Sequence, residues 1–206
     1  MESPTFPWIW TLPITRKTLL VDRLRKECHD EAFLLIQDAA KRGDNMGQFE
    51  IATKEKFQFV LSSSTLALVL SDLNTKKVEC LILVAPCRYV RSCHPTLCSL
   101  YVVTSADFSK KIFWREFIQL AQTVITRTDS PLYSAGAVDV FVTCIERIMA
   151  LREEGFLITA CVQDSGRLAG YPGYCSSYIM YKDFSSIEVS GLTNRNFILG
   201  VVHTLA

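Results

Sequence analysis

Two adjacent lysines, Lys110 and Lys111, stand in the segment "SLYVVTSADFSKKIFWREF" (99–117), where a strand pattern gives way to a helix pattern. Both fall in the first turn of the expected helix. The N-terminal end of a helix already carries positive partial charge, so cations are unfavourable there unless solvent or a bound anion offsets them. The pair therefore has two interpretations: a solvated helix end, with Asp107 and Glu116 nearby, or a phosphate-binding site.

The segment "PCRYVRSCHPTLC" (86–98) contains Cys87, Cys93, His94 and Cys98, whose side chains can bind zinc. Zinc motifs generally use close ligand pairs such as Cys-x₂-Cys. Here Cys93 and His94 are adjacent, and adjacent residues of an extended chain point in different directions. We interpret the segment as a loop with incidental thiols and expect no metal.

Other residues could take part in acyl transfer. Cys144 opens a predicted helix, where a thiolate would be stabilised, but none of the three histidines is placed by the sequence as its base. Glu146, Glu153 and Glu154 could accept a proton from an amine, although surface carboxylates on helices are far more common. We expect a packed thiol and solvated carboxylates.

Composition limits the classes of partner. The chain has 206 residues, of which 49% are hydrophobic, and its formal net charge is +1. This composition predicts one domain over 1–206 with a sizeable core. It provides no global field for nucleic acid or an anionic membrane, so we expect neither as a partner.

The location of the protein is predicted from what the N-terminus lacks. It has no basic region, no continuous apolar region and no small-residue cleavage site, so we expect no signal peptide and no secretion. The longest apolar runs, such as "LILVAPC" (81–87), are too short to span a bilayer. We place the protein in the cytosol or nucleus, with its eight cysteines reduced and mostly buried, among them Cys80, Cys98 and Cys161.

Alternating and continuous apolar runs predict strands in much of the chain. The run "LCSLYVVT" (97–104) is continuously apolar, as expected of a buried central strand, and the polar turn 71–77 indicates a hairpin. The predicted strands are 6–13 at a sheet edge, 48–53, 56–62, 65–72, 77–85, 97–104, 137–143, 157–163 and 176–184.

Three- and four-residue spacing of apolar side chains predicts the helices. The first extends from Thr15 to about Asp44, with a break near His29. The second presents an apolar face that begins at Phe108, with Asp107 as a credible N-cap.

A third helix covers 144–156. Its residues Ile145, Ile148 and Met149 are expected to face inward, and Gly155 stands where a left-handed C-cap is needed. Together the elements predict a single α/β (mixed α+β) domain with a mostly antiparallel sheet and helices packed on it.

This order of elements resembles the GNAT acyltransferase superfamily. "SLYVV" (99–103) is similar to that family's central strand, which precedes the coenzyme-binding helix. "CIERIMALREEGF" (144–156) resembles its later helix, commonly N-x-x-A-x-x-L-Y-e-k-x-G-F. "SYIMYKDF" (177–184) resembles its closing strand. The match covers about residues 45–184 and implies helices on both faces of the sheet and splayed central strands.

The resemblance implies transfer of an acyl group from acetyl-CoA or another acyl-CoA to an unidentified amine. The backbone from Tyr101 through Val102 and Val103 would pair with the pantetheine arm. Strand 137–143 would splay away and leave a cleft for the thioester. Tyr101 and Asp139, on the strands beside that cleft, are the catalytic candidates.

The pyrophosphate would then lie at the N-terminus of the following helix. Ser109, Lys110 and Lys111 fall there and are the expected coenzyme-binding residues. The family turn usually carries glycines, which this chain lacks. The helix that ends in "GF" also departs from the pattern: Leu151 stands where many members have the tyrosine that protonates the departing thiolate, and Cys144 replaces an asparagine.

These departures leave alternatives open. The chain could be a catalytically inactive GNAT-like module that binds a protein partner in a larger assembly, with a cleft filled by Phe108 and Phe113. It could also be an unrelated mixed fold with chance similarity. The tail 185–206, which ends in the apolar "FILGVVHTLA" (197–206), could be an added strand, a dimer contact or the cut edge of a longer protein.

Overall fold

The computed structural model describes residues 6–42, 53–86, 97–125, 137–142, 145–167 and 174–183. In chain order, its strands and helices are β1 (Trp8–Thr11), β2 (Thr18–Arg23), α1 (His29–Lys41), α2 (Lys54–Ser63), β3 (Leu66–Asp72), β4 (Val78–Pro86), β5 (Leu97–Thr104), α3 (Lys111–Ile125), β6 (Ala137–Val142), α4 (Ile145–Glu153), β7 (Leu157–Arg167) and β8 (Tyr174–Asp183).

One sheet of eight strands, in the order β1-β2-β3-β4-β5-β6-β8-β7, organises the described chain. All neighbouring strands are antiparallel except β5 and β6, which are parallel. Successive side chains of a strand face opposite sides, so β5 contributes to two cores. Leu100 and Val102 pack with α3 and α4, whereas Tyr101 and Val103 pack with α1 and α2. The predicted mixed sheet with helices on both faces is confirmed.

Several predicted elements are found at their predicted positions. β1 lies at the sheet edge, β3 and β4 form the expected hairpin, and β5 occupies 97–104 as predicted. Gly155 has φ +84°, the left-handed conformation expected after α4. Among the described helices, none has the length and apolar character needed to cross a bilayer.

The prediction of one helical region from Thr15 was wrong at its start, because Thr18–Arg23 is a strand. Leu19 and Val21 alternate with less buried neighbours and pair with β3, Val21 opposite Leu70. In this region, buried residues follow three- and four-residue spacing only in α1. The buried residues of α1 are Ala32, Leu35, Ile36 and Ala39.

The predicted strand 56–62 is also wrong, because the segment forms α2. The Lys56 N–H donates to the Thr53 hydroxyl oxygen at 3.2 Å, a side-chain cap that favours a helix start. Phe57 and Val60 are buried one turn apart, whereas Phe59 is 61% exposed. Alternation of phenylalanines suggested a strand, but only one of them faces the core.

The inward face of the third predicted helix is partly wrong. Ile148 is buried, but Ile145 is 65% and Met149 49% exposed. The buried face of α4 is formed by Arg147, Ile148, Ala150 and Leu151. The difference arises because Arg147 packs on an aromatic ring of α3 and therefore takes an inward position that a charged residue rarely occupies.

Two smaller predictions also fail. Asp107 is no N-cap, because it lies in a short 3₁₀ turn, Ala106–Phe108, and α3 begins only at Lys111. Cys161 is exposed, whereas Cys80 and Cys98 are buried as expected. The predicted strand 48–53, the loops 86–96 and 127–136 and the tail 185–206 lie wholly or mostly outside the described residues.

Candidate functional site

The two parallel strands β5 and β6 separate after a short contact. Their register pairs Leu97 with Ala137, Cys98 with Val138 and Ser99 with Asp139, and no later pair joins them within the described residues. From position 100 onward β5 continues along β4 alone, while β6 continues along β8. The strand edges that face each other beyond Ser99 therefore border a gap in the sheet, as the family resemblance implied.

The loop that leaves β5 is fixed to β4. The Ser105 N–H donates to the Glu79 carbonyl oxygen at 2.9 Å, and the Ser105 hydroxyl donates to the Glu79 carboxylate. Glu79 is buried and also forms an ion pair with Lys77, whose Nζ lies 3.4 Å from the Glu79 carboxylate. These bonds set where the chain turns from strand to helix.

Helix α3 starts with unbonded amides. Its first α-helical hydrogen bond runs from the Trp114 N–H to the Lys110 carbonyl oxygen at 3.2 Å. Within the described part of the chain, the N–H groups of residues 110–113 meet no acceptor. Such amides, together with the helix dipole, form an anion-binding position.

The two lysines at this position have different surroundings. The Lys111 ammonium bonds with the Glu153 carboxylate of α4, and this bond lowers the pKa of Glu153 below its ordinary value. Lys111 is thus engaged between two helices. Lys110 is exposed and forms no ion pair with the described residues. The Ser109 hydroxyl donates to the Ala106 carbonyl oxygen at 2.8 Å and so helps close the loop.

A third cation, Lys17, approaches the same end of α3. It belongs to the turn between β1 and β2, and its Nζ lies 4.6 Å from the ring centre of Phe108 and 5.1 Å from that of Phe113. The two rings are buried and lie 4.8 Å apart. No local pattern predicts this contact, because Lys17 and Phe108 are 91 positions apart along the chain.

Glu116 holds the turn that carries Lys17. This α3 carboxylate is fully buried and accepts the Ile14 N–H at 2.5 Å, the Thr15 N–H at 3.0 Å and the Thr15 hydroxyl at 2.8 Å. Charge-assisted bonds of this kind are about twice as strong as neutral ones. They dock the β1–β2 hairpin on α3 beside its N-terminus.

A polar cluster lies in the core between the sheet and helices α3 and α4. The Arg147 guanidinium, 3% exposed, stacks 4.1 Å from the Trp114 ring. Burial raises the pKa of the Cys80 thiol well above its ordinary value, and the charge of Arg147 opposes that rise. Cys80 is the β4 partner of Thr104, so the two side chains share one face of the sheet.

Two atoms of this cluster have no hydrogen-bond partner in the described structure: the Thr104 hydroxyl and the Trp114 indole N–H. Both residues are buried. Sequence reasoning missed the cluster. Its one available signal was Arg147 at the fourth position of the family helix pattern, where alanine is usual.

The predicted strand residues border the separation of β5 and β6. Tyr101 is buried on the α1 and α2 side, and Val102 and Val103 are buried on opposite faces of β5. Asp139 pairs with Ser99 and, on the other side, with Tyr181 of β8. The structure therefore brings all four positions to the two strands that diverge, without testing the roles predicted for them.

The remaining predicted residues lie apart from this gap or outside the description. Leu151 is fully buried, so a hydrocarbon side chain occupies the position of the family tyrosine. Glu154 accepts from Arg115 at 3.0 Å, and Glu146 is exposed. Cys144 lies outside the described residues, as do Cys87, Cys93 and His94. Among the described side chains, no group of three or more could hold a metal ion.

Two basic residues connect the helices to the sheet near the site. The Lys182 ammonium donates to the Gln122 side chain and to the Glu154 carbonyl oxygen, the latter at 2.5 Å, and desolvation lowers the pKa of Lys182. Arg42, just after α1, donates to the Thr104 carbonyl oxygen at 2.6 Å. The carbonyl group of Thr104, the last residue of β5, is thus bonded to Arg42 on the α1 side of the sheet, while its side chain faces α3 and α4.

Several solved structures that superpose on this chain are N-acetyltransferases. A GCN5-related N-acetyltransferase from Kribbella flavida superposes with a TM-score of 0.60 at 15% identity, covering 80% of this chain and 97% of that one. The ribosomal-protein-S18-alanine N-acetyltransferase from Escherichia coli gives 0.59 at 11% identity over 84% and 98%. Spermidine N-acetyltransferase from Vibrio cholerae, solved in complex with CoA and spermine, gives 0.57 at 14% identity over 81% and 96%.

No protein-family model matches the sequence, and no curated protein matches it. Similarity at these identities concerns the backbone alone. The separation of β5 from β6 and the helices on both faces of the sheet are nevertheless those the resemblance implied. The chain has the GNAT fold of the N-acetyltransferases.

Proposed function

We propose that the protein is an acyl-CoA-dependent N-acyltransferase. The observation that carries the proposal is the separation of β5 and β6 after Ser99 and Asp139, followed directly by the unbonded amides at the start of α3. An extended ligand with a charged end could lie along the free strand edge and place that charge on the helix dipole. A structural neighbour was solved with CoA, a ligand of this shape.

The coenzyme would use backbone groups more than side chains. The edge of β5 at Val102 and Val103 would pair with the pantetheine amides, and the amides of residues 110–113 would receive the pyrophosphate. Lys110 is exposed beside those amides and adds a positive charge, and Ser109 lies in the same loop. Lys111, held by Glu153, fixes α3 to α4 and contributes charge only at longer range.

The reaction would join a nucleophilic amine to the acyl group. The amine nitrogen attacks the thioester carbonyl carbon, a C–N bond forms and the C–S bond breaks. The nitrogen loses one proton and the sulfur, which leaves as a thiolate, takes up one proton, so that the products are the amide and free coenzyme A. Tyr101 and Asp139 lie on the strands beside the thioester position and are the proposed catalytic residues. Because Leu151 cannot donate a proton, catalysis would rest chiefly on positioning the two reactants together.

A second candidate, an inactive GNAT-like binding module, is favoured by the hydrocarbon side chain of Leu151 and by the buried pair Phe108 and Phe113. The two rings contact each other and Lys17, and the Phe108 ring also lies 5.8 Å from that of Phe117. The separation of β5 and β6 has no evident use in a module without coenzyme. We therefore place the enzyme first.

Calorimetric titration with acetyl-CoA tests the coenzyme proposal. Lys110→Ala should weaken binding about two- to fivefold, because it removes one exposed charge near the helix end. The control Lys56→Ala, on the exposed face of α2, should leave the dissociation constant unchanged. Absence of any heat or thermal stabilisation with millimolar acetyl-CoA would contradict the proposal.

Turnover separates the enzyme from the module. A panel of primary amines, including polyamines and peptides with free N-termini, should give an acetylated product detected by mass spectrometry. A thiol reagent is unsuitable as the readout, because Cys161 is exposed. Binding of acetyl-CoA without an acetylated product from any amine would favour the module, provided that Tyr101→Phe also hydrolyses acetyl-CoA at the same slow rate as wild type.

A further inference from the structure

The edge of the sheet formed by β7 is apolar and has no partner strand among the described residues. β7 is the last strand in the sheet order, so one side of its backbone pairs with β8 and the other side faces no described strand. At the start of β7, Leu157 is 52% and Ile158 43% exposed. An unpaired edge with exposed apolar side chains is a template for another strand, and folded proteins usually cover or blunt such an edge.

Apolar side chains are exposed on both faces of this edge. Ile158 pairs with Met180, which packs with α3 and α4, and residues directly opposite in a ladder share one face of the sheet. Ile158 therefore lies on the α4 side. Leu157 precedes it in the strand and lies on the other side.

Helix α4 enlarges the apolar surface on its own side of the sheet. Ile145 and Met149 are exposed and lie four residues apart, so they are neighbours on the helix. Both fall on the opposite side of α4 from Arg147, which contacts Trp114 of α3. Because the sheet continues from β8 to β7 away from α3, this flank is the one toward the β7 edge. We call the exposed apolar residues here the β7 edge surface: Ile145, Met149, Leu157 and Ile158.

A segment suited to this surface occurs later in the same chain. The run "FILGVV" (197–202), outside the described residues, is apolar at every position except Gly200. A continuous apolar run of this length is typical of a strand that is covered on both faces. The β7 edge surface provides apolar side chains on both faces, so it is complementary to such a run.

The segment can reach the β7 edge without a second chain. β8 ends at Asp183, two positions beyond the partner of Leu157, so the chain leaves β8 beside the start of β7. A strand on the free side of β7 would lie two strand spacings from β8, a distance of about 10 Å. The 13 residues 184–196 can extend over about 43 Å, which is more than enough to make this connection.

We propose that segment 197–202 docks on the β7 edge of its own chain as a further strand and covers the β7 edge surface. Backbone hydrogen bonds to the free edge would hold the strand, and its alternate side chains would contact the apolar residues on the two faces. The docked strand would remove both sets of apolar side chains from water. This inference goes beyond the proposed function and does not depend on coenzyme binding.

Amide hydrogen exchange of the full chain, measured by mass spectrometry without ligand, tests the proposal. Peptides that contain residues 197–202 should exchange at least about tenfold more slowly than the same peptides in denaturant, because a docked strand exchanges only when it opens. The double variant Leu157→Ser/Ile158→Ser should abolish this protection. Both side chains are exposed on the described fold, so the variant should fold and keep the wild-type protection of β5.

Two further variants locate the effect. Ile9→Ser is the matched control, because Ile9 is exposed on β1 at the opposite edge of the sheet, and it should leave the protection of residues 197–202 unchanged. Leu199→Asp changes the segment itself. It should abolish the protection as the edge variant does, again with β5 unaffected.

Fast exchange of residues 197–202 in wild type would overturn the proposal. Protection that survives in the double variant, or that Ile9→Ser removes, would also overturn it, because the segment would then bind elsewhere. Light scattering over a range of protein concentrations separates one chain from two. Protection at monomer mass supports docking within the chain, whereas protection that appears only together with a dimer mass contradicts it. A failed titration with acetyl-CoA would overturn the proposed function and leave this inference standing.

Discussion

Replacing Glu116 should detach the β1–β2 turn from helix α3. Glu116 lies within α3, away from its ends. Its carboxylate accepts hydrogen bonds from the N–H groups of Ile14 and Thr15 and from the Thr15 hydroxyl. Glu116→Ala removes every acceptor of this contact. Glu116→Gln keeps the length and one carbonyl oxygen, which can still accept both N–H groups.

The expected cost follows from the groups left without an acceptor. Each buried N–H that loses its partner costs about 1–3 kcal/mol. Ile14 is exposed and its N–H can be hydrated once the turn moves, so the lower part of the range applies. We expect Glu116→Ala to lower the free energy of unfolding by about 2–3 kcal/mol, a fall of about 4–12 °C in unfolding temperature. Glu116→Gln should cost about 1 kcal/mol, since only charge assistance and the bond to the Thr15 hydroxyl are weakened.

Urea unfolding followed by circular dichroism measures both variants. Glu55→Ala, at an exposed position of α2, serves as the control and should stay within about 0.5 kcal/mol of wild type. Equal stability of wild type and Glu116→Ala would refute the assigned contact. A loss in Glu116→Gln as large as in Glu116→Ala would show that charge, rather than the set of hydrogen bonds, is what the site requires.

Three further substitutions test the frame around the site. Gly155→Ala should cost about 1–2 kcal/mol by urea unfolding, because φ is +84° and the new Cβ would lie 3.4 Å from Lys182 Nζ; an unchanged midpoint would contradict the conformation. Glu153 has a lowered pKa in the folded state, so its stabilising contribution is present above pH about 4.5 and is lost as the pH falls. Lys111→Met removes the partner of Glu153 and should therefore reduce the fall in unfolding temperature on acidification. An unaltered pH profile of the unfolding temperature would contradict the ion pair. Asp72 accepts hydrogen bonds from two N–H groups of the β3–β4 turn, and these bonds lower its pKa. Asp72→Ala should therefore lower the thermal unfolding temperature near neutral pH, and lower it less in acid. An effect that does not depend on pH would contradict this prediction.

The sequence was most informative where local pattern and burial agree. The continuous apolar run of β5 marks a strand buried on both faces, and its bounds match the prediction. Gly155 was predictable because few other residues accept its conformation without strain. The separation of β5 and β6 followed from resemblance to a fold, since nothing in either strand alone specifies where their pairing ends.

Elements that depend on distant partners were predicted poorly. The strand Thr18–Arg23 and helix α2 contain apolar residues whose spacing fits either structure, and pairing with β3 or capping by Thr53 decides between them. The inward position of Arg147 depends on Trp114, 33 positions away along the chain. Such contacts are set by tertiary packing, which outweighs local preference.

The bond from Arg42 to the Thr104 carbonyl oxygen joins the two faces of the sheet at one residue. The hydroxyl of Thr104 faces α3 and α4, while its carbonyl is held from the end of α1. A molecule bound on one face that displaces this residue must therefore alter the free energy of binding on the other. By linkage the effect is mutual, so each ligand would change the affinity for the other by the same factor.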